Sequence, residues 1–343
     1  MNFRTFFLVL LSVGSLAEEK QPNVIIFLVD DLGWADISLR GAPIDTPFID
    51  SLFKEGMSLD RFYATPICSP TRAALMTGRD PMRLGMSYSV VMPWMNNGIH
   101  PDEHFMPESF QAAGYQTAMV GKWHLGHTPS LLPSARGFDR TIAMADAGAD
   151  NWEQRIFLPI YDQANWYADG TPHTLPDDFY SSEYFIDKAI EFIDSNESSD
   201  QPFFAYIPFQ AVHTPVQAPK EYSDRYAGVY DKGWSVMREK RRQAAIAKGV
   251  IPADSQVKVT PGTPDWNEST DEQKRYDARR MEVYAGMVDA MDAHIGRLMS
   301  YLESIDEYDN TIFIFTSDNG AAAGGLDGLN GNAPLNRWLE RVG

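Results

Sequence analysis

The chain has 343 residues, with 29 Lys and Arg against 47 Asp and Glu, a formal charge of −18, 44% hydrophobic residues and one cysteine. An apolar fraction near the globular average excludes disorder and collagen, and the length allows one large domain or two small ones. The acidic balance argues against nucleic acid or an anionic membrane surface as partner, because both need a basic field.

In chain order, Arg4, the apolar run from Phe6 to Leu11 and Ser15-Leu16-Ala17 give a positive start, a short hydrophobic core and a small-x-small cleavage site. They predict a secretory signal peptide over 1–17 and a secreted or periplasmic product. That run is well short of the ~20 apolar residues of a membrane span, and no later stretch reaches it, so no span is expected. Residues 24–29 read as a buried strand running into Asp30-Asp31, and 46–55 as a helix. Next comes Cys68-Ser69-Pro70-Thr71-Arg72, ahead of a helical stretch at 73–77 with Gly78 as its stop. This places Cys68 at a helix N-terminus, where free amides and the dipole favour an anion, with Arg72 one turn on. Cys68 has no disulfide partner in the chain. It is a buried small hydrophobe, an intermolecular crosslink or a special thiol, and its neighbours favour the last.

A helix at 107–113 precedes a strand at 116–120 that runs into Gly121-Lys122-Trp123-His124. After a helix at 182–193, a strand at 203–209 leads to His213. Composition changes over 215–267, with the basic run Arg238-Glu239-Lys240-Arg241-Arg242, which predicts a surface insertion and a solvated helix face. Ser269 and Glu272 form a capping box for a long helix with a core stripe of Met281, Tyr284, Val288, Met291, Ile295, Leu298, Met299 and Leu302. A strand at 311–316 ends in Ser317-Asp318-Asn319-Gly320. This alternation predicts an α/β fold, a doubly wound, mostly parallel sheet with helices on both faces. Ligands in such sheets sit outside the carboxyl ends of the strands, so four charged strand ends are expected to share one crevice.

Cys68-x-Pro70-x-Arg72 followed by Thr77-Gly78-Arg79 resembles the signature of the type I sulfatases, within the alkaline phosphatase superfamily. Asp30-Asp31-Leu32-Gly33-Trp34, Gly121 to Gly126, Val212-His213-Thr214-Pro215 and Ser317 to Gly320 extend the resemblance in the family's order. It implies hydrolysis of a small-molecule or glycan sulfate ester, of arylsulfatase type. It also implies that a formylglycine-generating maturation enzyme oxidises Cys68 to Cα-formylglycine, whose hydrate is the nucleophile. Arg72 and Lys122 would then clamp sulfate oxygens, His124 would pair with the hydrate, and His213 would donate the proton to the leaving alcohol. The metal set carried over is Asp30, Asp31, Cys68, Asp318 and Asn319. Apart from Cys68 these offer oxygen only, which suits Ca²⁺, or Mg²⁺ with more water retained. Loops at 86–98, 143–166 and 215–267 would line the leaving-group side without a readable code.

Two alternatives stand beside this reading. A phosphate or phosphonate ester hydrolase of the superfamily would use Ser or Thr and more histidine ligands, where this chain has Asp318-Asn319. A catalytically dead anion-binding protein is the other, because the family continues to a second active-site lysine and a smaller C-terminal subdomain. Lys274, the last lysine here, matches no such residue, so 18–343 is expected to be a C-terminally incomplete catalytic domain. His100, His104, His127, His173 and His294 have no motif context and receive no role.

Overall fold

A computed structural model describes residues 20–322, except 60, 88–89, 94, 157–162, 197–200 and 260–262, so the predicted signal peptide lies outside the described residues. Among the described residues seven strands form one sheet: β1 Asn23–Val29, β2 Gln116–Lys122, β3 Arg140–Met144, β4 Trp166–Ala168, β5 Thr171–Pro172, β6 Phe203–Pro208 and β7 Thr311–Ser317. Their order is β5-β4-β3-β2-β6-β1-β7, parallel from β3 to β7 with β4 and β5 antiparallel at one edge. All seven residues of β1 are buried, because helices cover both of its faces.

Side-chain alternation along β1 divides the core in two. Ile25, Phe27 and Val29 pack with α4 (Ser181–Asp194) and α7 (Asp271–Ser304). Val24, Ile26 and Leu28 pack toward α2 (Cys68–Thr77) and the start of α3 (Met106–Ala112), meeting Ala73, Met76 and Phe105. β7 closes one edge, with Ile312 and Ile314 exposed. The remaining helices are α1 (Pro47–Glu55), α5 (Lys220–Ser223) and α6 (Gly233–Ala247).

Three details differ from the sequence reading. The cap of α7 is Thr270, one residue later than Ser269, and it accepts a hydrogen bond from the Gln273 amide at 3.2 Å; the Gln273 side chain donates onward to Asp277 at 3.1 Å, so no reciprocal box forms with Glu272. Ser269 is already engaged, its amide closing a short turn on Trp266 O. Met281 is exposed, whereas Val288 to Leu302 of the same stripe are buried. The 215–267 segment also reaches inward: Tyr226, Tyr230, Met237 and Trp266 join the core under α7. Within its basic run, Arg241 donates to Ala35 O at 2.6 Å instead of facing only water. Among the described residues no helix is long and apolar enough to cross a membrane.

Candidate active site

The carboxyl ends of β1, β2, β6 and β7 meet at one place, and α2 points its N-terminus there. α2 begins at Cys68 itself, five residues before the predicted stretch, and Gly78 ends it in the left-handed conformation at φ 65°. Cys68 is 8% exposed, and Arg72, one turn along, is wholly buried. At the end of β2, Gly121 adopts φ 137°, and a Cβ there would lie 2.0 Å from Pro208 O, so only glycine lets β2 pass β6 before Lys122 turns inward. Asp31 and His124 both sit at φ 60°, an uncommon conformation for non-glycine residues that recurs at functional sites.

A buried ion network fills the crevice. Arg72 donates to Asp318 Oδ2 from Nε at 3.0 Å and Nη2 at 2.8 Å, and from Nη1 to Lys122 O at 2.6 Å. Lys122 Nζ is paired with Asp30 Oδ2, while Asp30 Oδ1 stands 3.8 Å from Arg72 Nη2. His124 Nδ1 lies 3.2 Å from Cys68 Sγ. At the rim, Asn319 donates to Asp31 Oδ1 at 2.6 Å and the Asp31 amide donates to Asp318 Oδ1 at 3.3 Å. His213 Nε2 is 3.8 Å from Asp31 Oδ2, and its Nδ1 donates to Thr214 O at 2.6 Å. Every residue predicted for the site is thus in this cluster or on its rim.

Ligand atoms of Asp30, Cys68 and Asp318 lie within 4.8 Å of one another. Asp30 Oδ1 and Asn319 Oδ1 are buried without a hydrogen-bond partner. Buried oxygens are seldom left so, and two of them beside further carboxylates form a donor set for a hard cation. The residues therefore fit a calcium- or magnesium-type ion. Three carboxylates against two basic side chains leave the cluster one charge negative, and a dication would make it one charge positive.

Burial pushes the Cys68 thiol up to about 11; Lys122 opposes this, while Asp30 and Asp318 add to it. Burial works against charge on Arg72 and Lys122, yet the carboxylates override it and raise both, Asp318 chiefly for Arg72 and Asp30 for Lys122. Burial, then Lys122 and Arg72, hold His124 well below the usual histidine range, so its imidazole is neutral. Asp318 is raised to about 6 by burial and Asp30, against the pull of Arg72 and Lys122. The arrangement offers two fixed cations and a neutral imidazole to an anion placed at Cys68.

Sequence reasoning missed the supports of this cluster. Ser69 donates to His124 O at 2.9 Å and accepts from the Val91 amide at 3.2 Å. Gln210 donates to Ala149 O at 2.7 Å and to Asn151 Oδ1 at 3.1 Å, and Asn151 donates to Pro215 O at 3.1 Å, fastening the loop that carries His213. Amides and hydroxyls are common everywhere, so nothing in the sequence marks these. Other histidines are engaged elsewhere: His104 with Ser109, His173 with Tyr184 and His294 with Arg297.

Fold and site together define an α/β protein of alkaline phosphatase-like architecture with a buried anion and cation centre. The sulfatase family model matches residues 22–339, and the chain belongs to the sulfatase family. It is 40% identical over 338 residues to an uncharacterized sulfatase of Schizosaccharomyces pombe, covering 91% of this chain and 60% of that protein. It is 35% identical over 316 residues to an arylsulfatase of Klebsiella aerogenes, covering 89% and 67%. The solved structure of Ps i-CgsB in complex with k-i-k-neocarrahexaose superposes with a TM-score of 0.67 at 27% identity, over 90% of this chain and 61% of that one. The chain thus spans about three fifths to two thirds of the length of these relatives.

Proposed function

We propose that this protein hydrolyses sulfate esters, with Cys68 converted to Cα-formylglycine and one divalent cation, Ca²⁺ or Mg²⁺, held by Asp30, Asp31, Asp318 and Asn319 beside the Cys68-derived side chain. The observation that carries the reading is the buried convergence of Cys68, Asp30 and Asp318 with the charged Arg72 and Lys122. When present, the formylglycine hydrate supplies an attacking hydroxyl, and the cation neutralises sulfate charge. Arg72 and Lys122 bind sulfate oxygens from positions already fixed by Asp318 and Asp30, so they need no rearrangement as charge develops. Neutral His124, 3.2 Å from the Cys68 side chain, takes up a proton there. His213 donates Nδ1–H to Thr214 O and holds Nε2 at the rim, 3.8 Å from Asp31 Oδ2, and from there it would deliver a proton to the departing alcohol.

Ps i-CgsB was solved with an oligosaccharide, and this supports a glycan sulfate ester as one substrate class beside small aryl sulfates. A maturation enzyme would act before folding is complete, since folded Cys68 is 8% exposed. Residues 1–17 are read as the signal that sends the chain to an extracellular or periplasmic compartment. The phosphate-ester reading is weaker, because the metal-type group found among the described residues contains no histidine. Metal analysis combined with paired assays tests the choice. Protein co-expressed with a formylglycine-generating enzyme should carry one Ca²⁺ or Mg²⁺ and turn over an aryl sulfate far faster than the matching phosphate. Two zinc ions per chain and the opposite preference would overturn it.

A further inference from the structure

The loop that follows the Asp30-Asp31 pair is held from behind by a buried carboxylate with no place in the site as described. Asp36 is 6% exposed and folds back on its own loop, accepting from the Gly33 amide at 3.1 Å while its amide donates to Gly33 O at 2.9 Å. Two distant helices meet the same carboxylate. Tyr284 of α7 donates to Oδ2 at 2.7 Å, and Arg241 of α6 pairs with Oδ1 while also donating to Ala35 O at 2.6 Å. Gly33 is gripped between this clamp and the loop beyond β7: a Cβ on it would lie 2.2 Å from Asp36 Oδ2 and 3.2 Å from Ala321 Cβ, two residues past Asn319. Gly33 in turn is two residues from Asp31, whose left-handed backbone aims its amide at Asp318.

We propose that Asp36 is a positioning residue of the cation site, which fixes the backbone carrying Asp30 and Asp31 through Gly33 and makes α6 and α7 determinants of cation affinity. The inference rests on the reading that Asp30, Asp31, Asp318 and Asn319 hold the ion. Groups behind a ligand set keep its oxygens at coordination distance, and their loss typically weakens metal binding ~10–100-fold. A carboxylate is needed here because it accepts from an amide, a phenol and a guanidinium at once, and an asparagine cannot satisfy all three.

Calcium titration calorimetry on the full-length protein, stripped with chelator and titrated with CaCl₂, tests this with four variants. Asp36→Asn should raise the Kd for Ca²⁺ by ~10–100-fold, and Tyr284→Phe and Arg241→Gln should raise it by smaller factors. Melting in EDTA separates positioning from support of the fold, since a purely structural role would lower Tm and leave Kd unchanged. Unchanged Kd in the folded variants, while Asp31→Asn weakens binding, would overturn the inference and leave the cation site standing. Should Asp36→Asn fail to fold, Tyr284→Phe and Arg241→Gln decide by the same readout. Absence of calcium binding by the wild-type protein, or binding indifferent to Asp31→Asn, would overturn the cation reading itself and this inference with it.

Discussion

Burial decides what Cys68 can do. A thiol pushed up to about 11 is protonated at neutral pH, whereas cysteine nucleophiles work as thiolates with depressed pKa. The thiol itself is therefore poorly poised for thiolate attack. Around it, Arg72 and Asp318 are buried and paired at 2.8 Å. Such a pair contributes little against an apolar replacement, but removing one partner strands a charge. Arg72→Ala should lower stability by about 3–5 kcal/mol in urea unfolding with chelator present, and a loss under ~1 kcal/mol would contradict the buried pair. His213 yields a second prediction. A general acid matters most for a poor leaving group, so His213→Ala should reduce kcat/KM by ~10²–10⁴ for alkyl sulfates and much less for nitrophenyl sulfates. Equal losses for every ester would remove its acid role.

Helices and strands set how far this was legible. The parallel strands were readable because a strand buried on both faces is a continuous apolar run, as in β1, and because charged groups at its carboxyl end mark the crevice. Reading Cys68-Ser69-Pro70 as a helix start was sound in kind and short in extent: α2 begins at Cys68, since a proline is tolerated in the first turn. The cap of α1 could not be read locally at all. Thr46 precedes it but spends its hydroxyl on Asp50 at 3.1 Å, and Asp292 of α7 accepts from Ile49 and Phe48 amides at 2.7 and 3.2 Å. A carboxylate more than 240 residues away leaves no local trace. Asp36, Asn151 and Gln210 carry no local signal for the same reason, because their partners are brought by the fold.

Burial, helped by Asp50 and Asp289 and opposed by those two amides, raises Asp292 to about 7 from an ordinary 3.8. The folded protein thus keeps a proton that the unfolded chain releases, so this group's stabilisation is full below pH ~4 and is lost as pH rises through ~7. Asp292→Asn should remove that slope. Between pH 5 and 8 the unfolding free energy of the wild type, measured in urea, should fall more than the variant's, by on the order of a few kcal/mol. Parallel curves would contradict the shift.

Over the whole molecule, a charge of −18 would repel a sulfate monoester until local cations captured it. Screening shortens that repulsion from about 30 Å at 0.01 M salt to about 8 Å at 0.15 M. KM for an anionic sulfate ester should therefore fall as NaCl rises over this range, and a rising KM would mean that capture is governed by a positive field. The conversion of Cys68 to the oxygen nucleophile of a sulfate ester hydrolase can be followed chemically. The tryptic peptide containing Cys68 is analysed by mass spectrometry on the same preparations used to assay aryl sulfate hydrolysis, with and without a co-expressed formylglycine-generating enzyme. Turnover should scale with the fraction of aldehyde at Cys68 and vanish in Cys68→Ala. Undiminished hydrolysis by protein carrying only the intact thiol would contradict that dependence.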